Sequence, residues 1–476
     1  MIFVLRRSRQ DRSALVAVLA PVAALALGLV VAGVGPGREL VLLSLLVIGV
    51  GVVGWIASRG PVFCFSALAC VAAAGGTTLT IAAGAFDFAV TDVLFVVGVV
   101  LTLTTPPRAA RTRSGSVALK WWGVFLAAVA LSLAWHGLVG DTDLFGSAIS
   151  WLRLVQTATL MWLVSRVIGS ADDARRLVLG VSVGSLIAVG IAAVQFLGSP
   201  GAGRYGGLAG VATLGLTSSS LVIIGFTWRP SSPPTRAFLV CAGLLGLLFS
   251  RSITSIFALV VVLGVSAVIT GVRRSSVTAG VRFIVAAGAV LVAAFAVPIL
   301  RPGSMPWQQG FDDSSTQARS VYVTAAWETF LRQPAFGVGW HQQDLSDSLG
   351  ATLKNRLRAR FPNASPQFID DIGRTSPHNA VLQVAAEAGL PSLLTLAGAG
   401  AATMLALRRR AWEPLARDDA SVLSTLRRLA AMVAVWFLGT PVFGGQPETI
   451  LLGVVLGAAF AAWSTSRNPA AVRGAT

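Results

Sequence analysis

Only three histidines in this 476-residue sequence can move a proton near neutral pH, and a few arginines stand where they could hold an anion beside them. Of the three histidines, His378 stands in Ser376-Pro377-His378-Asn379, directly before a long apolar run. An imidazole at such a boundary can take a proton from a hydroxyl near neutral pH; the same Pro-His-Asn segment also reads as a turn that caps a helix. Glu387 follows on the expected helix, roughly 180° around and about 13 Å along the axis from His378, so it pairs within a helix bundle and does not orient that ring. His341, in Gly339-Trp340-His341, reads as part of a turn beside a site. Arg251 lies in Phe249-Ser250-Arg251-Ser252 between two nearly abutting apolar runs. A guanidinium buried there costs about 2.5–3.5 kcal/mol, so it either snorkels from a helix end or serves an anion site. Arg204, in Gly203-Arg204-Tyr205, stands at a comparable end, and Arg319 follows the helix-starting group Ser314-Ser315-Thr316.

The elements that must position these groups are membrane helices. The chain is 55% hydrophobic and 12% charged with a mean hydropathy of +0.76, far from the roughly 25% charge of a soluble domain. Apolar runs of about 18 to 24 residues recur, each enough to cross the hydrocarbon layer. The expected fold is all-α and polytopic, with about fourteen spans: 14–34, 39–57, 61–84, 90–105, 117–137, 145–168, 176–198, 207–228, 235–250, 252–270, 280–300, 379–407, 426–443 and 449–466.

Charge placement orients them. The net charge of +17 would suggest nucleic acid in a soluble protein. Here alternate connections hold most of the basic residues, from Arg6–Arg12 through Arg108–Lys120 and Arg175–Arg176 to Arg408–Arg410, whereas the opposite ends hold Arg38, Arg153, Arg204 and Arg251. The positive-inside rule puts both termini in the cytoplasm and 301–378 outside. The N-terminal basic residues precede a long apolar run without a clear cleavage site, which reads as a retained first helix. Cys64, Cys70 and Cys241 all fall in spans, which suggests packing residues and not a disulfide framework.

Three segments follow: N-terminal membrane helices over 1–300, an extracytoplasmic loop over 301–378, and membrane helices with a cytoplasmic tail over 379–476. The loop is the only long polar segment, and loops of that size usually carry function. Within it Arg319, Tyr322, Val323, Ala326, Trp327 and Phe330 recur at helical spacing until Pro334. A second helix is expected over 346–361, with Leu349, Leu353 and Leu357 in line and basic residues between them, suited to lie on lipid headgroups. Asp141-Thr142-Asp143 imitates a metal-binding DxD motif but reads as a solvated loop, and Asp312-Asp313 and Asp370-Asp371 read as surface or capping pairs.

The ordered set resembles the O-antigen ligase and polymerase superfamily. It comprises Gln317-Ala318-Arg319 with Trp327, then Pro334-Ala335-Phe336-Gly337-Val338-Gly339-Trp340, then His378-Asn379 with Glu387-Ala388-Gly389-Leu390. Ser250-Arg251 resembles that family's Ser-Arg motif, and Val90-Thr91-Asp92-Val93-Leu94 its earlier Asp-containing span. The motifs cover about 200–400; Ser392 stands where many relatives have a second glycine, and Arg204 matches only loosely. The resemblance implies a GT-C-type glycosyltransferase in the bacterial cytoplasmic membrane, acting outside on an undecaprenyl-diphosphate-linked glycan, with no metal or cofactor. His378, Arg319 and Arg251 would be catalytic; Arg204, Asn379 and His341 would bind substrate; Glu387 and Trp327 would support. The acceptor would be a glycan, a lipid or a cell-wall polymer, and nucleic acid is not a partner.

Residue chemistry agrees with that implication. Nucleotide sugars do not reach the outer face, so the donor must be lipid-carried, its leaving group a diphosphate that arginine forks can hold. Direct displacement predicts inversion at the sugar. A flippase or other transporter is the main alternative, but transporters gather polarity at the midplane in repeated halves, whereas here it gathers in one outer loop. A scaffold would leave the motif order unexplained.

Overall fold

The computed structural model describes residues 51–75, 80–83, 86–107, 113–139, 144–199, 204–208, 210–229, 231–273, 314–340, 345–362, 364, 369, 379–409, 417–437 and 446–461. The expected spans 14–34 and 280–300, and most of 39–57, lie outside them. So do Asp141–Asp143, Asp312-Asp313 and Asp370-Asp371.

The chain is a helical membrane protein. Its described helices are α1 (Pro61–Ala74), α2 (Val90–Thr104), α3 (Arg113–Val139), α4 (Leu144–Val167), α5 (Ala171–Gly198), α6 (Val211–Thr227), α7 (Pro233–Ser250), α8 (Ile253–Arg273), α9 (Ser314–Arg332), α10 (Leu345–Arg360), α11 (Ala380–Arg409), α12 (Arg417–Phe437) and α13 (Gln446–Phe460). Among the described residues, five helices are both long and apolar enough to cross a bilayer, and five shorter ones are apolar. Large apolar side chains such as Val96, Val100, Leu103, Leu131 and Leu138 are exposed on helix faces, the inverse of a soluble helix and the arrangement that lipid requires.

One expected span ends early. Hydropathy predicts a span over 61–84, but α1 stops at Ala74, and Thr80–Ala83 pairs antiparallel with Phe86–Ala89 as strands β1 and β2. Hydropathy is blind to the difference, because an apolar strand pair is as lipophilic as a helix end. The stop is local: Gly75 adopts a left-handed cap whose N–H bonds back to the last turn.

Packing inside the bundle depends on close approach. Gly180 and Gly184 on α5 let the backbone of α1 come so near at Ser66 and Cys70 that a Cβ at either position would collide with a carbonyl oxygen; Gly453 and Gly457 on α13 do the same against Thr157 and Met161 of α4. These are small-xxx-small contacts, which substitute for a hydrophobic force that lipid does not supply.

Long-range hydrogen bonds join helix ends that the alternating span direction places on one side. At one level Ser66 Oγ donates to the Arg176 carbonyl (2.6 Å), Arg175 pairs with Asp419 (3.3 Å), Thr227 meets Thr425 (2.8 Å) and Arg428 donates to Ser266 (3.0 Å). At the other, the Tyr205 N–H donates to the Phe249 carbonyl (3.1 Å), Trp436 Nε1 to Ser255 Oγ (3.0 Å), and the buried Thr213 hydroxyl to Glu448.

The segment between α8 and α11 contains two packed helices. Val321, Tyr322 and Ala325 of α9 form a small core with Leu353 and Leu357 of α10 and with Ile369. This corrects two expectations. Leu353 and Leu357 are buried against protein and do not lie on a lipid surface. The buried face of α9 runs through Val321, Tyr322, Ala325, Ala326, Thr329 and Phe330, so Val323 and Trp327 point outward. Spacing alone could not decide this, since Val321 and Val323 continue equally good stripes; the position of α10 against α9 selects one of them.

Candidate functional site

The best-defined feature on the loop side is a clip between two motif segments. Helix α11 breaks at Gly389, whose φ of 76° and ψ of −173° are open only to glycine. The sequence dictates part of the break. Pro391 has no N–H, so the Glu387 carbonyl loses its helical partner. The turn after α9 repairs the loss. Gly339 N–H donates to the Glu387 carbonyl (3.0 Å), Val338 N–H to the Ala386 carbonyl (2.9 Å), and Leu390 N–H, freed from its own turn, to the Pro334 carbonyl (2.7 Å). Backbone groups at the break are thereby satisfied by another segment, as the low-dielectric interior demands.

Glycine is required on both halves. Gly337 (φ 67°) and Gly389 both adopt positive φ. A Cβ on Gly389 would lie 2.5 Å from the Ala335 carbonyl oxygen, and one on Gly337 would run into the Glu387 backbone.

Helix α3 holds the turn from its other side. Ser132 Oγ donates to the Phe336 carbonyl (2.7 Å), the Trp135 ring stacks on Phe336 (5.0 Å, 22°), and His136 Nε2 bonds to the Gly337 carbonyl (3.1 Å). Because a carbonyl only accepts, that imidazole carries its proton on Nε2. His136 is buried. In the sequence, the signal for this role is the helical register of His136 with Ser132, four residues before it.

The clip sets the start of α11 and the end of α9 relative to each other. Asn379 caps α11, its Oδ1 accepting from the N–H groups of Val381 and Leu382 (3.0 Å each). Its amide oxygen is therefore committed to structure. Glu387 is buried, and one of its oxygens accepts from Gln383 Nε2 (3.2 Å). Trp340 is fully buried, whereas Trp327 is 48% exposed and leans on Phe330 (5.6 Å). Arg319 lies within α9, which packs along α11; its side chain, and all of His341 and His378, lie outside the described residues.

Arg251 is built on a second support. It terminates α7 in the left-handed conformation (φ 49°, ψ 35°), the one non-glycine residue with positive φ among those described. A side chain other than glycine, asparagine or aspartate is uncommon there, so the turn is held by its surroundings. The Tyr205 backbone bonds to Phe249, the Tyr205 hydroxyl donates to the Ser199 carbonyl (2.5 Å), and Phe196, Tyr205 and Phe249 form an aromatic cluster. The segment carrying Arg204 is thus fastened to the segment carrying Arg251, with the Arg204 side chain exposed.

A third polar group was not anticipated. Asp92 at the start of α2 and Arg153 on α4 form a two-pronged ion pair, the second prong Arg153 Nη2 to Asp92 Oδ2 at 3.1 Å. Gln156 Nε2 (3.3 Å) and the Ala89 N–H (3.1 Å) also donate to the carboxylate. The side chains are 13% and 22% exposed. The two residues lie 61 positions apart, and nothing in the spacing joins them.

The arrangement defines a helical membrane protein in which the turn after α9 is clipped to a broken helix and an arginine-bearing turn ends α7. Residues 237–397 match the family model for O-antigen ligase. That segment is therefore similar to O-antigen ligase, in keeping with the resemblance of its motifs to the ligase and polymerase superfamily. Arg251, Arg319, the clip and His378-Asn379 fall inside the matched segment; Arg204 and Asp92 fall outside it. No curated protein matches the chain.

Proposed function

We propose that the protein transfers a glycan from an undecaprenyl-diphosphate-linked donor to an acceptor hydroxyl on the extracytoplasmic face, by a metal-independent, inverting displacement in a GT-C-like bundle of about fourteen spans. In this reading both termini are cytoplasmic, and 301–378 faces outward. His378 removes the acceptor proton while Arg251 and Arg319 take the charge that develops on the departing diphosphate. Arg204 and His341 bind around the donor.

The observation that carries the proposal is the clip between Pro334–Gly339 and Ala386–Leu390. It lies in the O-antigen ligase segment and fastens the helix that begins directly after His378 to the turn that directly follows the Arg319 helix. Catalysis by positioned charges needs such rigidity, because a misplacement of about 1 Å can cost on the order of 10²-fold. The αL turn at Arg251 adds a second observation, since strained conformations cluster where a side chain must be aimed.

The test is the lipid-linked glycan left in cells that lack the protein. Single repeats would identify loss of a polymerase, and long unattached chains loss of a ligase. An unchanged lipid-linked pool would contradict glycan transfer.

A further inference from the structure

The bundle also carries a groove at the opposite level, far along α3 and α11 from the clip. Over their apolar windows these two are the least buried of the long spans, each 28% buried, so both border lipid. They pack on each other, closely because Gly398 has no side chain: a Cβ there would lie 2.5 Å from the Trp121 ring. Trp122 Nε1 donates to Thr403 Oγ1 (3.3 Å) beside it. Next to this contact is an open groove of about 560 Å³, lined by Arg113, Ser114, Val117, Trp121, Ala401 and Leu405 among others.

The lining is graded. Trp121, Val117 and Leu405 present hydrocarbon, while Arg113 and Ser114 close one end with a cation and a hydroxyl. No acidic residue stands in the first turn of α3 to neutralise Arg113. About 12 Å of helix separates Arg113 from Trp121, close to the roughly 15 Å depth of one leaflet.

We propose that this groove binds an anionic membrane phospholipid, with an acyl chain along Val117, Trp121 and Leu405 and the phosphate at Arg113 and Ser114. Charge complementarity selects an anionic headgroup, because a basic side chain near the surface favours anionic lipid. The lining from Arg113 to Trp121 runs about 12 Å along α3, the scale of one acyl chain within a leaflet, which suits a diacyl lipid.

The test uses the full-length protein in nanodiscs with a photoactivatable phosphatidylglycerol or the phosphatidylcholine of the same chains, and mass spectrometry of the crosslinked peptides. Phosphatidylglycerol should label 113–121 and 398–405 in preference to phosphatidylcholine. Arg113→Gln should reduce that preference roughly fivefold. Ala401→Phe, which fills the groove from a lipid-exposed position, should abolish labelling there and leave labelling of the exposed Val96–Leu103 face unchanged. If that variant does not elute as wild type, Ala401→Leu replaces it. Equal labelling by the two lipids, labelling that survives the groove-filling variant, or displacement by equimolar long-chain polyprenyl phosphate would each overturn the assignment.

Discussion

The Leu390 N–H donates to the Pro334 carbonyl at 2.7 Å, so the residue that resumes the α11 helix is held by the residue that opens the turn after α9. With Val338 on Ala386 and Gly339 on Glu387 it makes a three-bond backbone clip, which should behave as one unit. Gly389→Ala forces a side chain into positive φ and against the Ala335 carbonyl, and should lower stability by about 1–3 kcal/mol or more. Gly400→Ala in the same helix meets nothing within 4 Å and should be neutral or stabilising by up to about 1 kcal/mol. Thermal unfolding in detergent checks both; equal behaviour of the two variants would mean the clip does not hold the break.

Removing one partner of Asp92–Arg153 leaves the other charge without its counterpart in a poorly solvated place. Asp92→Leu or Arg153→Met alone should destabilise by about 3–5 kcal/mol, whereas the two together should cost clearly less than the sum of the single changes. Unfolding midpoints of the four proteins make the double-mutant cycle. Additive losses would show that the pair is not coupled.

Arg251 should trade stability against activity. Arg251→Gly relieves the left-handed strain, so its stability should stay within about 1 kcal/mol of wild type, while donor turnover falls because the guanidinium is gone. Arg251→Lys keeps the charge but not the planar fork, and should retain intermediate turnover. Wild-type turnover by the glycine variant would remove Arg251 from the diphosphate site.

Much of this arrangement was legible in the sequence because length and charge carry it. Among the described residues, most apolar runs long enough to span are helices, and the alternation of arginine-rich ends agrees with the ends that hydrogen bonds join. The clip was only half legible. Its segments, Pro334–Trp340 and Glu387–Leu390, stood out as motifs, but a backbone hydrogen bond leaves no side-chain signature, and only Gly337, Gly339, Gly389 and Pro391 hinted that the two segments meet. The face of α9 and the end of α1 were misread because spacing and hydropathy do not register which neighbour an element meets. Asp92 and Arg153 were visible singly, but their pairing depends on how α2 packs on α4.

Sidedness can be checked with exposed positions on helices from the two levels. In a Cys241→Ser background, since Cys241 is the exposed native cysteine, a cysteine at Ala359 on α10 should react with a membrane-impermeant thiol reagent in intact cells. One at Ala420 on α12 should react only after permeabilisation. The reverse pattern would move the loop to the cytoplasm and end the proposal of an extracytoplasmic site.

The central claim is that His378 moves the acceptor proton, and the direct measurement is single-turnover transfer by purified protein supplied with lipid-linked donor and acceptor. His378→Ala should bind donor as wild type does yet lose about 10²–10⁴-fold in rate, the usual contribution of a general base, while His341→Ala should lose less. A correctly folded His378→Ala protein that turns over at the wild-type rate between about pH 6 and pH 9, a window spanning the ordinary titration of histidine, would contradict the account.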